Sequence, residues 1–125
     1  MNPKIFTFEE AQALIEEVRE KTVFSNERLV ALRAQVESLQ SGSKRATKLN
    51  EWINTVINLW AQEIMELGAL PKGLWTVDFD SGDGYYYCWA LNEPNLGYFH
   101  LYEEGFAGRK PLSEIEKGAP PLLLN

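Results

Sequence analysis

An uninterrupted apolar seam runs through the first third of the chain and constrains the fold more than any other feature. Residues suited to a helix interface recur at alternating spacings of three and four, at Phe8, Ala11, Ile15, Val18, Thr22, Ser25, Leu29, Leu32, Val36 and Leu39. This heptad spacing predicts a long helix with one buried stripe. Because Thr7 and Glu10 have the spacing of a capping box, the helix should begin just after Thr7. We predict helix one over residues 7–40, with a bend or a change of packing at Thr22 and Ser25.

A second helix follows a short turn and carries a wider apolar face. Ser41, Gly42 and Ser43 supply a helix stop and a new N-cap, which predicts a tight helical hairpin. Helix two, predicted over residues 44–67, has a broad apolar stripe that contains Leu49, Trp52, Ile53, Val56, Ile57, Leu59, Trp60, Ile64 and Leu67. One partner helix cannot cover so broad a face. We therefore expect either self-association or a large exposed apolar patch.

The pattern changes from helical to alternating after Gly68. Between residues 74 and 102, three segments of alternating apolar and polar residues are separated by turn-forming residues. They predict a three-stranded antiparallel meander, whose more apolar odd-numbered side chains should pack on the helices. The chain is thus predicted to be a single α+β domain over residues 1–125. A long antiparallel helical hairpin is followed by a three-stranded antiparallel β-meander and, over residues 103–125, by a glycine-containing loop and tail.

Short turns between these strands predict a register for the sheet. They would pair Phe79 with Tyr85 and Leu91 with Gly97. The resulting cross-strand rows of the even-numbered face are Thr76, Cys88 and His100, followed by Asp78, Tyr86 and Tyr102. The only Cys and the only His of the chain would then be neighbours.

Composition and charge exclude several classes of function. Eighteen acidic and twelve basic residues give a net charge of −6, which repels nucleic-acid phosphates and anionic membranes. The basic residues Lys44, Arg45 and Lys48 at the start of helix two are too few to reverse this balance. We therefore expect no nucleic-acid partner and no membrane partner. A lone Cys forms no internal disulfide, and no apolar run reaches the length of a bilayer, so the sequence favours a reducing cytoplasm.

Several short motifs occur along the chain in a fixed order. They are Phe-Thr-Phe-Glu-Glu-Ala, Val-Asp-Phe, Cys-Trp, Asn-Glu-Pro, Tyr-Phe-His and Gly-Phe-Ala-Gly-Arg-Lys-Pro-Leu. In this order they resemble an uncharacterised bacterial family, domain of unknown function 2203, over nearly the whole chain. Asn92 and Phe99 depart from the family pattern, which typically has Gly and Trp there, whereas Cys88, Glu93, His100 and Arg109 are in place. The resemblance implies no reaction, cofactor or partner.

The sharpest chemical hypothesis is a thiolate nucleophile. His100 would lower the pKa of the Cys88 thiol, and Asp78 would orient the imidazole. The alternative is that Cys88 is a small buried residue and His100 a hydrogen-bonded packing residue, as lone Cys and His residues usually are. A metal site of His100, Cys88 and either Asp78 or Glu93 is a second possibility. One His and one Cys are a thin supply of ligands, so we predict no metal and no cofactor.

Anion or small-molecule binding is the third chemical possibility. Arg109, in the Gly-Phe-Ala-Gly-Arg loop, would offer its guanidinium to a carboxylate or phosphate between aromatic walls. The candidate binding residues are Glu93, Tyr98, His100, Tyr102, Phe106 and Arg109. The competing structural hypothesis is that Arg109 pairs with Glu103, Glu104 or Glu93 and pins the loop.

The favoured functional interpretation is a cytoplasmic protein-interaction module. It would form a homo-oligomer through the helices or the sheet edge, and it could also bind another protein. The alternative is a protein that binds a small molecule or anion, or a cryptic enzyme, and that uses the sheet face and the Gly-Phe-Ala-Gly-Arg loop. The sequence favours a non-enzymatic role because it contains no complete catalytic, metal or nucleotide motif. An open polar pocket on the even-numbered sheet face would favour binding, and a dry packing surface would favour interaction.

Overall fold

Two long helices form the first layer of the structure. The computed structural model describes residues 3–116, so the last part of the predicted tail, residues 117–125, lies outside the described residues. Helix α1 spans Phe8–Glu37 and helix α2 spans Lys44–Glu66, which confirms the predicted helical hairpin to within three residues at each end. The two helices pack against each other along the predicted seam.

Hydrogen bonds explain both the start of α1 and the polar residues in its middle. The amide of Glu10 donates to the Thr7 hydroxyl at 3.1 Å, and the Glu10 carboxylate accepts from the amide of Thr7 at 2.9 Å, which confirms the capping box. The helix continues without interruption through Thr22. The Thr22 hydroxyl donates to the carbonyl of Val18 at 2.7 Å and accepts from the indole N–H of Trp60 on α2 at 2.9 Å. A polar residue therefore occupies the seam because it satisfies the buried Trp60 donor.

An antiparallel meander forms the second layer, and it has five strands where the sequence predicted three. The strands, in both chain and spatial order, are β1 (Leu70–Lys72), β2 (Thr76–Asp80), β3 (Tyr85–Ala90), β4 (Tyr98–Leu101) and β5 (Lys110–Pro111). The additional strands β1 and β5 are only three and two residues long, too short to show alternation. Each contains a proline, Pro71 or Pro111, which suits an edge strand because proline has no N–H to donate.

The inner face of the sheet carries the odd-numbered side chains of β2, β3 and β4 and packs on the helices, as predicted. It consists of Val77, Phe79, Tyr85, Tyr87, Trp89 and Phe99, all buried in the main hydrophobic cluster. Trp75 does not belong to a strand, although the sequence placed it at the start of one. It lies in the β1–β2 turn with a φ of 61°, and its indole N–H donates to the Asn26 amide oxygen at 2.9 Å. This hydrogen bond holds the turn against α1.

The predicted register is wrong by two residues on both sides of β3. Phe79 pairs with Tyr87 and not with Tyr85, and Tyr85 pairs with Leu101. The observed rows place Asp78 opposite Cys88 and Tyr86 opposite His100. Because side chains alternate with a period of two, a shift of two residues leaves each of them on its predicted face.

The additional strand β1 packs against α2 and covers part of its apolar face. Ile64 is fully buried, whereas Trp52 and Leu59, on the flank of the helix, are each 52% exposed. Part of the broad apolar face therefore packs within the chain and part of it faces outwards. Of the helices within residues 3–116, none has the length and apolar character needed to cross a membrane.

Candidate functional site

The outer face of the sheet carries the even-numbered side chains of β2, β3 and β4, points away from the helices and contains a pocket. The pocket has a volume of about 360 Å³. The sheet contributes Lys72, Thr76, Asp78, Tyr86, Cys88 and His100 to its lining, and the loop after β4 contributes Tyr102, Glu104 and Phe106. The outer face is therefore a partly polar pocket, the arrangement that favours binding.

Three chemically versatile side chains meet at this pocket, one from each central strand. Asp78 on β2 is 1% exposed, Cys88 on β3 is 0% exposed and His100 on β4 is 3% exposed. One carboxylate oxygen, the thiol sulfur and one ring nitrogen lie within 4.8 Å of one another. We call these three residues the outer-face cluster. The even-numbered alternation predicted all three on this face, and the structure brings them together.

The imidazole of His100 lies between two hydrogen-bond acceptors. Its Nδ1 is 2.9 Å from the carbonyl oxygen of Leu101, and its Nε2 is 3.0 Å from Oδ2 of Asp78. A neutral imidazole carries only one N–H, so it can donate to only one of these acceptors. Asp78 Oδ1 is buried and accepts no hydrogen bond from any described residue. A neutral His100 therefore satisfies only one of the two acceptors that face its ring nitrogens.

The environment of Cys88 keeps its thiol protonated. Burial raises the pKa of the Cys88 thiol, the negative charge of Asp78 and a hydrogen bond between the thiol and Asp78 raise it further, and Arg109 acts in the opposite direction. This direction is opposite to the one that the nucleophile hypothesis requires. Cys88, His100 and Asp78 lie close together as the nucleophile hypothesis requires. The raised pKa of the thiol, however, does not support an activated thiolate.

Two tyrosine rings stand over the cluster at the rim of the pocket. The rings of Tyr86 and Tyr102 are 4.9 Å apart, and the ring of Tyr86 is 5.5 Å from the imidazole of His100. The Tyr102 hydroxyl donates to Oδ1 of Asp80 at 2.6 Å, and this hydrogen bond is the main cause that raises the pKa of Tyr102. Burial, followed by the charges of Asp80 and Asp78, raises the pKa of Tyr86. Both phenols therefore stay neutral and offer aromatic surface to the pocket.

Arg109 and Glu93, two predicted binding residues, do not line the pocket. One terminal nitrogen of Arg109 lies 2.6 Å from both carboxylate oxygens of Glu93. Oε1 of Glu93 also accepts from the amide of Ala90 at 2.9 Å. We call this ion pair the loop clamp. It ties the loop after β4 to the β3–β4 turn, so the structural hypothesis for Arg109 describes the observed contact.

Aromatic rings complete the loop clamp. The guanidinium carbon of Arg109 is 4.1 Å from the ring centre of Tyr98 and 4.4 Å from that of Phe106. Arg109 Nε is buried and donates to no described residue, but the guanidinium stacks against these two rings, an arrangement that arginine favours. Tyr98 therefore belongs to the clamp, while Phe106 contacts the clamp and also lines the pocket. Of the predicted binding residues, His100, Tyr102 and Phe106 reach the pocket.

Three residues that line the pocket were not predicted as site residues from the sequence: Lys72, Tyr86 and Glu104. Lys72 ends β1, a strand too short to be predicted, and the loop after β4 brings Glu104 over the sheet. Tyr86 could have been found, because the even-numbered alternation already placed it on the face that carries Cys88. The pocket itself depends on the path of a loop, for which alternation gives no signal.

Comparisons with known proteins identify a family. The family model described as Uncharacterized conserved protein (DUF2203) matches residues 4–112. No curated protein and no solved structure matches the chain. The matched region contains the whole sheet, the outer-face cluster and the loop clamp.

Proposed function

We propose that this chain, which belongs to the family of uncharacterized conserved proteins DUF2203, binds one divalent transition-metal ion of the zinc class at Asp78, Cys88 and His100. The sequence alone predicted no metal, and one structural observation carries this different proposal. A carboxylate, a thiol and an imidazole, all nearly inaccessible to solvent, converge within 4.8 Å at the floor of a pocket. These oxygen, sulfur and nitrogen donors are the ligand types that zinc takes in proteins.

The distances suit a tetrahedral ion. Zinc bonds of about 2.0–2.3 Å separate the ligand atoms of a tetrahedron by about 3.5 Å. The His100 Nε2 and Asp78 Oδ2 atoms are 3.0 Å apart, and no pair in the cluster is farther apart than 4.8 Å. Small side-chain rotations would therefore bring all three donors to bonding distance. Three protein ligands also leave the fourth position of the ion free, as in catalytic zinc sites.

The surroundings of His100 support a role as a ligand. The Nδ1 atom faces the carbonyl of Leu101 at 2.9 Å, so an N–H at this position would direct the lone pair of Nε2 towards the cluster. Metal-binding histidines are usually oriented by such a second hydrogen bond. A cation between Nε2 and Asp78 would also satisfy the carboxylate, whose second oxygen is buried without a donor.

A buried His–Asp pair that serves only packing is the competing interpretation. In that case a proton shared between His100 and Asp78 holds the two side chains together, and Cys88 fills space beside them. The packing interpretation gives no reason for the pocket above the pair and leaves Asp78 Oδ1 unsatisfied. It nevertheless makes a distinct prediction, because such a pair has no measurable affinity for zinc.

Zinc titration against a chromophoric chelator tests the proposal. Wild-type protein is expected to take up one equivalent of Zn²⁺. The Asp78→Asn, Cys88→Ala and His100→Asn variants should each lose at least about tenfold in affinity, since even the outer partners of metal ligands contribute 10- to 100-fold. Asp80→Asn is the matched control, because it makes the same carboxylate-to-amide change on the same strand and face outside the cluster. Circular dichroism verifies that each variant is folded.

Two results would reject the metal site. One is wild-type protein that binds no zinc in competition with the chelator. The other is binding that survives all three cluster variants with unchanged affinity, which would assign the ion to the surface. Because the proposal needs a reduced thiol, it also places the protein in a reducing compartment such as the cytoplasm.

Self-association through α2 is a second candidate function, favoured by a different observation. Trp52 and Leu59 are each 52% exposed, and their spacing of seven residues puts them on one flank of the helix. Two large exposed apolar side chains on one flank of a helix favour a contact surface. The helix is favoured over the sheet edges, because the edge strands β1 and β5 contain Pro71 and Pro111, which interrupt pairing.

Sedimentation equilibrium at micromolar concentration tests this second candidate. The wild type is expected to dimerise, and the double variant Trp52→Glu/Leu59→Glu is expected to be a monomer. Phe24→Glu on α1 is the matched control, since Phe24 is exposed to a similar degree on the other helix. A wild-type protein that stays monomeric throughout the concentration range contradicts the proposal.

A further inference from the structure

The pocket over the outer-face cluster is much larger than a metal-bound water requires. Its volume is about 360 Å³, whereas one water occupies about 30 Å³ of liquid. Sites for small organic molecules begin at about 300 Å³. The free position of the proposed ion would therefore face a space that fits a small organic molecule.

The walls of this space are aromatic. Tyr86 and Tyr102 form one side, with ring centres 4.9 Å apart, and Phe106 lines the pocket from the loop after β4. The Tyr102 hydroxyl is already engaged with Asp80, so Tyr102 offers its ring rather than a free donor. Aromatic faces of this kind stack favourably on another planar ring, with centres about 4.5–7 Å apart.

The charges around the pocket favour an anionic head group. A divalent ion bound by one carboxylate and one thiolate is neutral as a unit. The Lys72 side chain lines the pocket, its ammonium lies 5.8 Å from the ring centre of Tyr86, and it makes no ion pair or hydrogen bond with another residue in the described range 3–116. Glu104 also lines the pocket, but its Oε1 accepts from the amide of Leu101 at 3.0 Å and caps the turn. Lys72 is therefore the charged group available to a ligand, and it is positive.

We infer that the pocket binds a small aromatic monoanion, whose oxygen head group occupies the free position of the ion and whose ring lies against Tyr86, Tyr102 and Phe106. This inference rests on the proposed metal-binding function and names the ligand class of that same site. The ion and Lys72 would share the negative charge of the head group, and the aromatic walls would select a flat ring. Carboxylates and hydroxamates attached to a ring belong to this class.

Calorimetric titration of zinc-loaded protein with two hydroxamates tests the inference. Benzohydroxamate and acetohydroxamate offer the same chelating head group, and only the first has a ring. We expect benzohydroxamate to bind at least about tenfold more tightly, because a ring buried against aromatic walls gains both apolar area and stacking. Protein stripped of metal should bind neither compound.

Substitutions of the pocket-wall residues separate the contributions of the ligand's ring and of its charge to the binding affinity. Phe106→Ala should weaken benzohydroxamate several-fold and leave acetohydroxamate unchanged, which also shows that the metal site is intact. Lys72→Met should weaken both compounds to a similar degree. Phe24→Ala removes an exposed phenylalanine from α1, far along the chain from the pocket residues, and is the matched control that should change neither affinity.

The outcomes of these experiments test the aromatic ligand separately from the metal site on which it depends. If zinc binds at one equivalent but the two hydroxamates bind equally well, or neither binds, the ligand class is wrong and the metal site stands. If zinc does not bind, both proposals fail together. Tight benzohydroxamate binding that Phe106→Ala and Lys72→Met leave unchanged would also overturn the inference, because the ligand would then lie elsewhere.

Discussion

Two polar clusters lie close together on the outer face of the sheet, and they differ in how completely their carboxylates are satisfied. In the loop clamp, Arg109 contacts both carboxylate oxygens of Glu93, and Oε1 of Glu93 has the Ala90 amide as a further donor. In the outer-face cluster, Asp78 contacts His100 through one oxygen and leaves the other buried without a donor. Each cluster leaves one buried polar atom without a described partner, Arg109 Nε in the clamp and Asp78 Oδ1 in the outer-face cluster. The unsatisfied atom of the clamp belongs to a guanidinium stacked on two aromatic rings, whereas the unsatisfied atom of the outer-face cluster belongs to a residue that lines the pocket.

The position of the pocket supports the same distinction. Asp78, Cys88 and His100 line the pocket, whereas Arg109 is enclosed between Tyr98 and Phe106. The Glu93 carboxylate already has its counter-charge and a backbone donor, while an unsatisfied buried acceptor such as Asp78 Oδ1 is stabilised by any cation that reaches it. We expect substitutions in the clamp to change stability and substitutions in the cluster to change binding.

The largest expected effect is the loss of the clamp. Arg109→Met leaves the Glu93 carboxylate, which is 22% exposed, without its counter-charge. Breaking a buried ion pair costs about 3–5 kcal/mol, and the partial exposure of Glu93 lowers the expected loss in the free energy of unfolding to about 2–4 kcal/mol. Urea denaturation measures this loss, with Lys110→Met as the matched control. Unchanged stability in the Arg109→Met variant would contradict the structural role of the loop clamp.

Zinc should stabilise the wild type by a similar amount. A ligand that binds only the folded state at a hundredfold excess over its Kd adds about 2.7 kcal/mol to the free energy of unfolding. Thermal or urea unfolding with and without Zn²⁺ measures this gain, which Asp78→Asn should largely abolish and Arg109→Met should retain. An equal gain in wild type and Asp78→Asn would show that zinc binds outside the cluster.

The two clusters can also be compared in metal-free protein, by making the same carboxylate-to-amide change in each and measuring stability. Glu93→Gln should cost about 1.5–3 kcal/mol, because it weakens charge-assisted hydrogen bonds to Arg109. Asp78→Asn should change the stability of the metal-free protein by less than about 1 kcal/mol, since an amide can donate to Nε2 of His100 and removes an unsatisfied buried charge. Urea denaturation in the presence of a chelator measures both. Equal costs would mean that the two clusters are satisfied to the same degree.

The smallest expected effect lies at the rim of the pocket. Tyr102→Phe removes the hydroxyl that donates to Asp80 but keeps the ring. Because this hydrogen bond is exposed, its loss should cost only about 0.5 kcal/mol, at the low end of the usual range. Zinc affinity should not change, as chelator competition would show. A marked loss of zinc affinity would extend the site to Asp80 and contradict a three-residue cluster.

The helices could be predicted from the sequence because their signals are local. The capping box at Thr7 and Glu10 and the seam along α1 each depend on residues within a few turns of one another. The role of Thr22 could not be predicted, since its partner Trp60 lies 38 residues away on the facing helix. The short edge strands had no alternation to detect.

The sequence predicted which residues form the outer-face cluster, but it did not predict which residues they contact. The assumed turns shifted both strand pairings by two residues, and a shift of two preserves the face of Asp78, Cys88 and His100 while it changes their neighbours. Which carboxylate pairs with Arg109 was left open among three acidic residues, because the loop path decides it. The loop after β4 and the short strand β1 form part of the pocket wall, and β1 supplies Lys72. Neither segment has a periodic sequence pattern from which the pocket could be predicted.

The absorption spectrum of the protein with Co²⁺ in place of zinc tests the central claim most directly. Cobalt occupies zinc sites and, when bound to a thiolate, gives a sulfur-to-metal charge-transfer band that surface carboxylates cannot produce. We predict one equivalent of Co²⁺ with tetrahedral absorption and a charge-transfer band that disappears in Cys88→Ala and persists in Arg109→Met. An octahedral spectrum without that band, or a spectrum that Cys88→Ala leaves unchanged, would contradict a metal site at the outer-face cluster.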